Sequence, residues 1–131
     1  MPHIIVDYAP QLEDWTDIAG LCEALRRAAI ETGAMPMAGI RVRAIRADHV
    51  AIADGDPRHG YVDITVRLRG GRDPKTKRAA TDHIFAAARA YLAPVLKTRS
   101  LALSLEMRDI DPALSPKTGT IRDHLNEADP T

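Results

Sequence analysis

Residues 61–69, Tyr-Val-Asp-Ile-Thr-Val-Arg-Leu-Arg, alternate without a slip: Val62, Ile64, Val66 and Leu68 take one side, and Asp63, Thr65, Arg67 and Arg69 the other. Successive side chains of an extended chain point to opposite faces, so this run is a strand with one apolar and one polar face. A chain built around it must cover one side of a sheet with apolar groups and leave the other side to water or a second subunit. Three more stretches make the same demand. Pro2 to Tyr8 is short, rich in Ile and Val, and ends before Ala9-Pro10. Ile40, Val42 and Ala44 alternate with Arg41 and Arg43, and the phase slips near Ala44-Ile45, which predicts a bulge or a break. From Leu101 to Arg108, Leu101, Leu103, Leu105 and Met107 share a face.

The apolar cover comes from two helical stretches. From about Thr16 to about Thr32, Ile18, Leu21, Cys22, Leu25 and Ala29 recur at helical spacing, with Thr16 or Asp17 as cap and Gly33 as stop. A second helix begins with Asp73 as cap and Pro74 at its first position. Its stripe is Ala80, Ile84, Ala87, Ala88, Tyr91 and Val95, and Pro94 ends or kinks it near its last turn. Asp54-Gly55-Asp56-Pro57 and Gly70-Gly71 are turns. The order is strand, helix, strand, twice over. Crossovers of one hand give parallel strands within each unit and both helices on one side of one sheet. On the opposite face Thr65, Ala102 and Ser104 are small and uncharged, which points to contact with another subunit.

The 131 residues suit one domain, 1–131, with a core over 1–110 and a tail over 111–131. The tail carries Asp111-Pro112 and Ser115-Pro116, then a short helix near Thr120 to Glu127, and its last residues are expected to fray. A hydrophobic share of 45% permits a core without disulfides or metal, and the single Cys22 allows no intrachain disulfide. On its helical stripe Cys22 reads as a core thiol. Lys+Arg and Asp+Glu stand at 18 each, a balance that argues against nucleic-acid binding. No long apolar run marks a signal peptide or a membrane span, so the cytoplasm is the expected compartment. His3, His49, His59, His83 and His124 lack metal-ligand spacing.

Pro2 is the sharpest chemical candidate. Methionine is usually trimmed before a small residue, and trimming leaves a secondary amine at the start of a strand. A free α-amine titrates near about 8. Burial and nearby cations both disfavour its protonated form, bringing it towards the range where a group takes up and returns a proton efficiently. Taken alone, Pro2 is better explained as the start of an edge strand, where its missing N–H does no harm. Arg41 and Arg43 share a strand face, and Arg72 follows the Gly70-Gly71 turn. Guanidinium groups grip carboxylates at two points and stabilise a developing enolate, although a polar strand face with ion pairs also accounts for them. His3 adjoins Pro2, where it either contacts substrate or tunes the amine, or simply fills a strand position.

Together these pieces resemble the 5-carboxymethyl-2-hydroxymuconate Δ-isomerase family of the tautomerase superfamily. The matching stretches are Met-Pro-His-Ile-Ile-Val at 1–6, Thr-Gly-Ala-Met-Pro-Met-Ala-Gly-Ile-Arg-Val-Arg at 32–43, Ala-Asp-Gly at 53–55, Gly-Arg at 71–72 and Leu-Ala-Leu-Ser-Leu-Glu at 101–106. The resemblance implies an α+β, tautomerase-like fold: two β-α-β units forming a four-stranded mixed sheet with two helices on one face, assembled as a homotrimer. It implies cofactor-free ketonisation of a small carboxylated enol within homoprotocatechuate (4-hydroxyphenylacetate) degradation. Pro2 matches the catalytic amino-terminal proline, Arg41 and Arg72 match arginines that bind substrate carboxylates, and Arg43 lies in the same motif. Ala34-Met35, Pro94 and the long Pro-rich tail depart from the family pattern. Other chemistry by the same proline stays open, such as phenylpyruvate tautomerisation or hydrolytic reactions of an unsaturated acid. So does a non-catalytic trimer that binds small acids.

Overall fold

A computed structural model describes residues 2–125. Strand β1 (His3–Tyr8) leads through a single helical turn, α1 (Leu12–Trp15), into helix α2 (Ile18–Glu31) and strand β2 (Arg41–Arg46). The second unit comprises β3 (His59–Arg69), α3 (Pro74–Tyr91), the short α4 (Ala93–Thr98) and β4 (Ser100–Ile110). The sheet order is β2-β1-β3-β4. β1 runs parallel to β2 and β3 parallel to β4, while β1 and β3 are antiparallel and join the two units at the centre. This is the mixed sheet with its helices on one side that the alternation demands.

Register explains which face is buried. Ile4 and Val6 of β1 lie opposite Val66 and Ile64 of β3, and all four are fully buried beneath the helices. Leu21 and Leu25 of α2, Ile84 and Ala88 of α3, and Leu92 beyond it complete the core. A fully buried side chain of this kind contributes about 1.5–3 kcal/mol, so the two central strands dominate the packing. Leu101, Leu103, Leu105 and Met107 of edge strand β4 are only half-buried.

Asp17 caps α2 by accepting from the Ala19 amide at 3.1 Å, and Gly33 leaves the helix at φ 69°. The cap is one of the two residues anticipated, but the helix starts at Ile18 because Thr16 is extended (φ −159°, ψ 163°). The α1 turn before it was not anticipated; it buries only Leu12, too little to give a periodic signal. Asp73 accepts from the Thr76 amide at 2.7 Å with Pro74 opening α3, as read from the sequence. Near Pro94 the helix does end, at Tyr91. The proline then sits in the first turn of α4, where a missing N–H does no harm.

Three expectations need correction. β2 has no bulge: its pairing with β1 is continuous from His3↔Arg41 to Tyr8↔Arg46. The apparent slip is compositional. Ile45 sits 54% exposed on the open face of an edge strand. Arg46 turns from the core to reach Glu13 Oε2 at 3.2 Å and Asp48 Oδ1 at 3.1 Å. Cys22 is half-buried rather than a core thiol, and burial raises its pKa. In the tail, the expected helix is a 3-10 turn at Ile121–His124, preceded by another at Pro112–Leu114. Glu127 and the residues expected to fray lie outside the described residues. Among the described residues no helix is long and apolar enough to cross a membrane.

Gly20 is the closest approach of α2 and α3. A Cβ there would fall onto the Tyr91 hydroxyl, which donates to the Asp17 carbonyl at 2.8 Å. Helix propensity alone favours Ala over Gly by about 1 kcal/mol. Gly20→Ala is nevertheless expected to lower Tm, because overpacking costs about 1–3 kcal/mol and displaces the tyrosine. Thermal unfolding of Gly20→Ala, Tyr91→Phe and the double variant checks this: the double loss should be smaller than the sum of the singles.

Candidate active site

The head of β1 is fixed by the parallel ladder. The Arg41 amide donates to the Pro2 carbonyl at 3.1 Å, so the first strand residue of β2 is tied to the residue before β1. The Pro2 ring is fully buried. It forms part of the wall of a cavity of about 370 Å³, together with Pro36, Ala38, Gly39 and Arg41. The Arg41 guanidinium is held by Nη1 donating to the Gly39 carbonyl at 2.8 Å. That carbonyl belongs to the 3-10 turn Met37–Gly39 that follows Pro36. The remaining wall comes from the tail: Lys117, Thr118, Gly119, Ile121 and Arg122.

His3 and Arg43 lie next to this cavity, on the open face of the sheet. His3 pairs in register with Arg41 on one side and Arg67 on the other. Arg43 Nη1 lies 3.1 Å from His3 Nδ1. Because a guanidinium can only donate, Nδ1 is the acceptor in this bond and the imidazole is neutral. Partial burial lowers the His3 pKa from its ordinary 6.5, and Arg67, Arg43 and Arg41 push it the same way. His3 also lines a second hollow of about 530 Å³ with Arg67, Arg69, Ile110 and the tail from Pro112 to Thr118. Lys117 and Thr118 form the partition between the two spaces.

Arg72 lies apart from these residues. It lines a hollow of about 290 Å³ beside Gly33 and Met35. Its Nε donates to the Ala34 carbonyl at 2.8 Å and its Nη1 to the Arg69 carbonyl at 2.9 Å. It therefore fixes the loop bearing Pro36, which borders both this hollow and the Pro2 cavity. Within one chain, Pro2, Arg41, His3 and Arg43 come together, while Arg72 acts from behind the loop.

Arg67, Arg69, Lys117 and Arg122 were not singled out from sequence. The alternation in β3 already put Arg67 and Arg69 on the polar face, but only the antiparallel pairing brings Arg67 opposite His3. Lys117 and Arg122 sit in an aperiodic tail that carried no signal. Arg41, Arg67, Arg69, Lys117 and Arg122 have no acidic partner within ion-pair distance among the described residues. Five cations without an ion pair thus gather around the Pro2 end of a chain of net charge zero. Such a region draws in anions and binds carboxylates through charge-assisted hydrogen bonds.

Paired β-α-β units thus carry a proline at the head of the first strand, next to cations suited to an acid. Comparisons with known proteins give this arrangement its family. The chain belongs to the 5-carboxymethyl-2-hydroxymuconate isomerase family, whose profile matches residues 2–125. It is 30% identical over 121 residues to the 5-carboxymethyl-2-hydroxymuconate Delta-isomerase of Escherichia coli, covering 92% of this chain and 96% of that one. A crystal structure of a 5-carboxymethyl-2-hydroxymuconate delta-isomerase superposes with a TM-score of 0.90 at 28% identity, over 98% of this chain and 95% of that one. A fused 4-OT solved as a symmetric trimer shares the fold at 22% identity and a TM-score of 0.57, over 83% and 85% of the two chains.

The lowered His3 pKa gives a pH dependence of defined sign. Between the folded value and 6.5 the unfolded chain holds more protons at this site than the folded one, so stability falls as pH drops through that window. An NMR titration of His3 should give a midpoint below 6.5. The loss of Tm on acidification into the window should be smaller in His3→Gln than in the parent.

Proposed function

We propose that this chain ketonises 5-carboxymethyl-2-hydroxymuconate, or a closely similar carboxylated dienol, without a cofactor, using the Pro2 amine exposed by removal of Met1. The observation that carries this reading is the burial of the Pro2 ring in the same cavity as Arg41. The pyrrolidine nitrogen accepts the enol O–H proton, the C–O bond becomes a carbonyl, and the conjugated double bonds shift. The same amine then returns a proton to the carbon at the far end of the system. No atom is lost, and the base is regenerated. Burial of the Pro2 ring and the neighbouring cations both favour the neutral amine that the first step needs.

Arg41 binds a substrate carboxylate beside the reacting atoms and stabilises charge as the enol proton departs. Arg43 and His3 extend the polar surface along the open face, and neutral His3 offers a hydrogen bond without adding charge. Arg72 has spent Nε and Nη1 on backbone carbonyls, and its Nη2 donors are left for a second carboxylate across the loop. We assign the chain to homoprotocatechuate degradation in the cytoplasm and read residues 1–131 as one domain.

We also propose a homotrimer. On the open face of the sheet, Ile5, Thr65, Ala102 and Ser104 form a surface of small and apolar groups between charged residues, with Ala102 and Ser104 exposed and Ile5 and Thr65 half-buried. The trimeric state of the fused 4-OT of the same fold supports this reading. Native mass spectrometry should give about three times the 14.3 kDa chain mass; a monomer would refute the assembly.

Intact-mass analysis should find the chain without Met1. In a spectrophotometric assay of the tricarboxylic dienol, Pro2→Ala should lower kcat by about 10²–10⁴, the range of general-base contributions. Loss of one charge-assisted bond in Arg41→Ala should lower kcat/KM by about tenfold to a hundredfold. Turnover that survives both substitutions unchanged would overturn the mechanism.

A further inference from the structure

We infer that Lys117 and Arg122, carried by the C-terminal segment, are carboxylate-binding residues that set the preference of the Pro2 cavity for polycarboxylated enols. The inference deepens the proposed function and rests on it for the identity of the reacting group. Both residues line the cavity that contains Pro2 and Arg41. Neither has an acidic partner within ion-pair distance among the described residues.

The segment that carries them is built to lie there. Asp111 caps the first turn after β4 by accepting from the Ala113 amide at 2.9 Å, and the Ser115 hydroxyl donates back to the Asp111 carbonyl at 2.6 Å. The Gly70 amide donates to the Ile110 carbonyl at 3.0 Å and fixes the point of departure. From there the chain passes His3 and returns to the Met37–Gly39 turn, against which its last 3-10 turn packs. The path brings both cations, exposed to incoming ligand, into the wall of the cavity that Arg41 also lines.

The charge count fits a particular class of ligand. Arg41 alone satisfies one carboxylate. A dienol with three needs further cations at separate points of the cavity, and Lys117 and Arg122 provide them from its tail wall. Lys117 also borders the hollow beyond, so a third carboxylate reaching past the partition meets it there. An enol with a single carboxylate has no use for either residue.

The test uses two readouts on the trimmed protein. Calorimetric titration with propane-1,2,3-tricarboxylate and with the monocarboxylate butyrate measures binding without chemistry. Steady-state kinetics on the tricarboxylic dienol and on the enol of phenylpyruvate measures turnover. In Lys117→Ala and Arg122→Ala we expect kcat/KM on the dienol to fall about tenfold each, mainly through KM, and tricarboxylate binding to weaken in parallel. Phenylpyruvate turnover and butyrate binding should change less than about twofold. Lys117→Arg and Arg122→Lys should restore most of the loss, since charge rather than shape is at issue. Equal losses on both substrates, or none on either ligand, would show that the segment is only a cover and overturn the inference. If the parent turns over neither enol but still loses its tricarboxylate preference on substitution, the proposed reaction fails while this assignment stands.

Discussion

Strand β1 holds the Pro2 end together through backbone bonds on both of its edges. Its parallel partner β2 supplies Arg41 at the level of His3, and its antiparallel partner β3 supplies Arg67 at the same level. A shift of one residue in either ladder would turn every side chain to the other face. Ile4 and Val6 would leave the core, and His3 would enter it. The apolar alternation that fixes the register therefore also fixes the order of cations around Pro2. Core and site are specified by the same hydrogen bonds.

Charge is distributed with the same economy. Among the described residues, seven arginine and lysine side chains form ion pairs with carboxylates elsewhere on the surface, among them Arg46 with Glu13 and Arg58 with Asp56. Such exposed pairs contribute little to stability individually. Each occupies a carboxylate that then does not pair with the cations at the Pro2 end. His3 responds to its surroundings there: its proton affinity falls because burial and three guanidinium groups act on it together.

Much of this was legible in the sequence because it is carried by periodic segments. The period-2 runs gave all four strands, and Asp73-Pro74 gave the start of α3 to the residue. The stretches at 1–6 and 32–43 pointed to Pro2 and Arg41, which the parallel ladder brings into contact. What was illegible lay outside periodic structure. The α1 turn contributes a single buried leucine. The step at Ala44-Ile45 looked like a backbone irregularity because an edge strand can leave Ile45 on its open face and satisfy Arg46 with Glu13 instead of core contacts. Arg72 looked equivalent to Arg41, but the carbonyls that engage its guanidinium are set by tertiary folding alone. Lys117 and Arg122 are separated from Pro2 by most of the chain, and nothing in a local window connects them.

That separation has a consequence for how the cavity is made. Its wall draws on the residue that leads into the first strand and on residues 117–122, beyond the last strand. During synthesis the sheet has all its strands before the final wall segment emerges, so the pocket is the last feature of the described chain to become complete. Arrival of residues 117–122, after the last strand has been made, is the event that supplies the remaining wall at this end of the molecule.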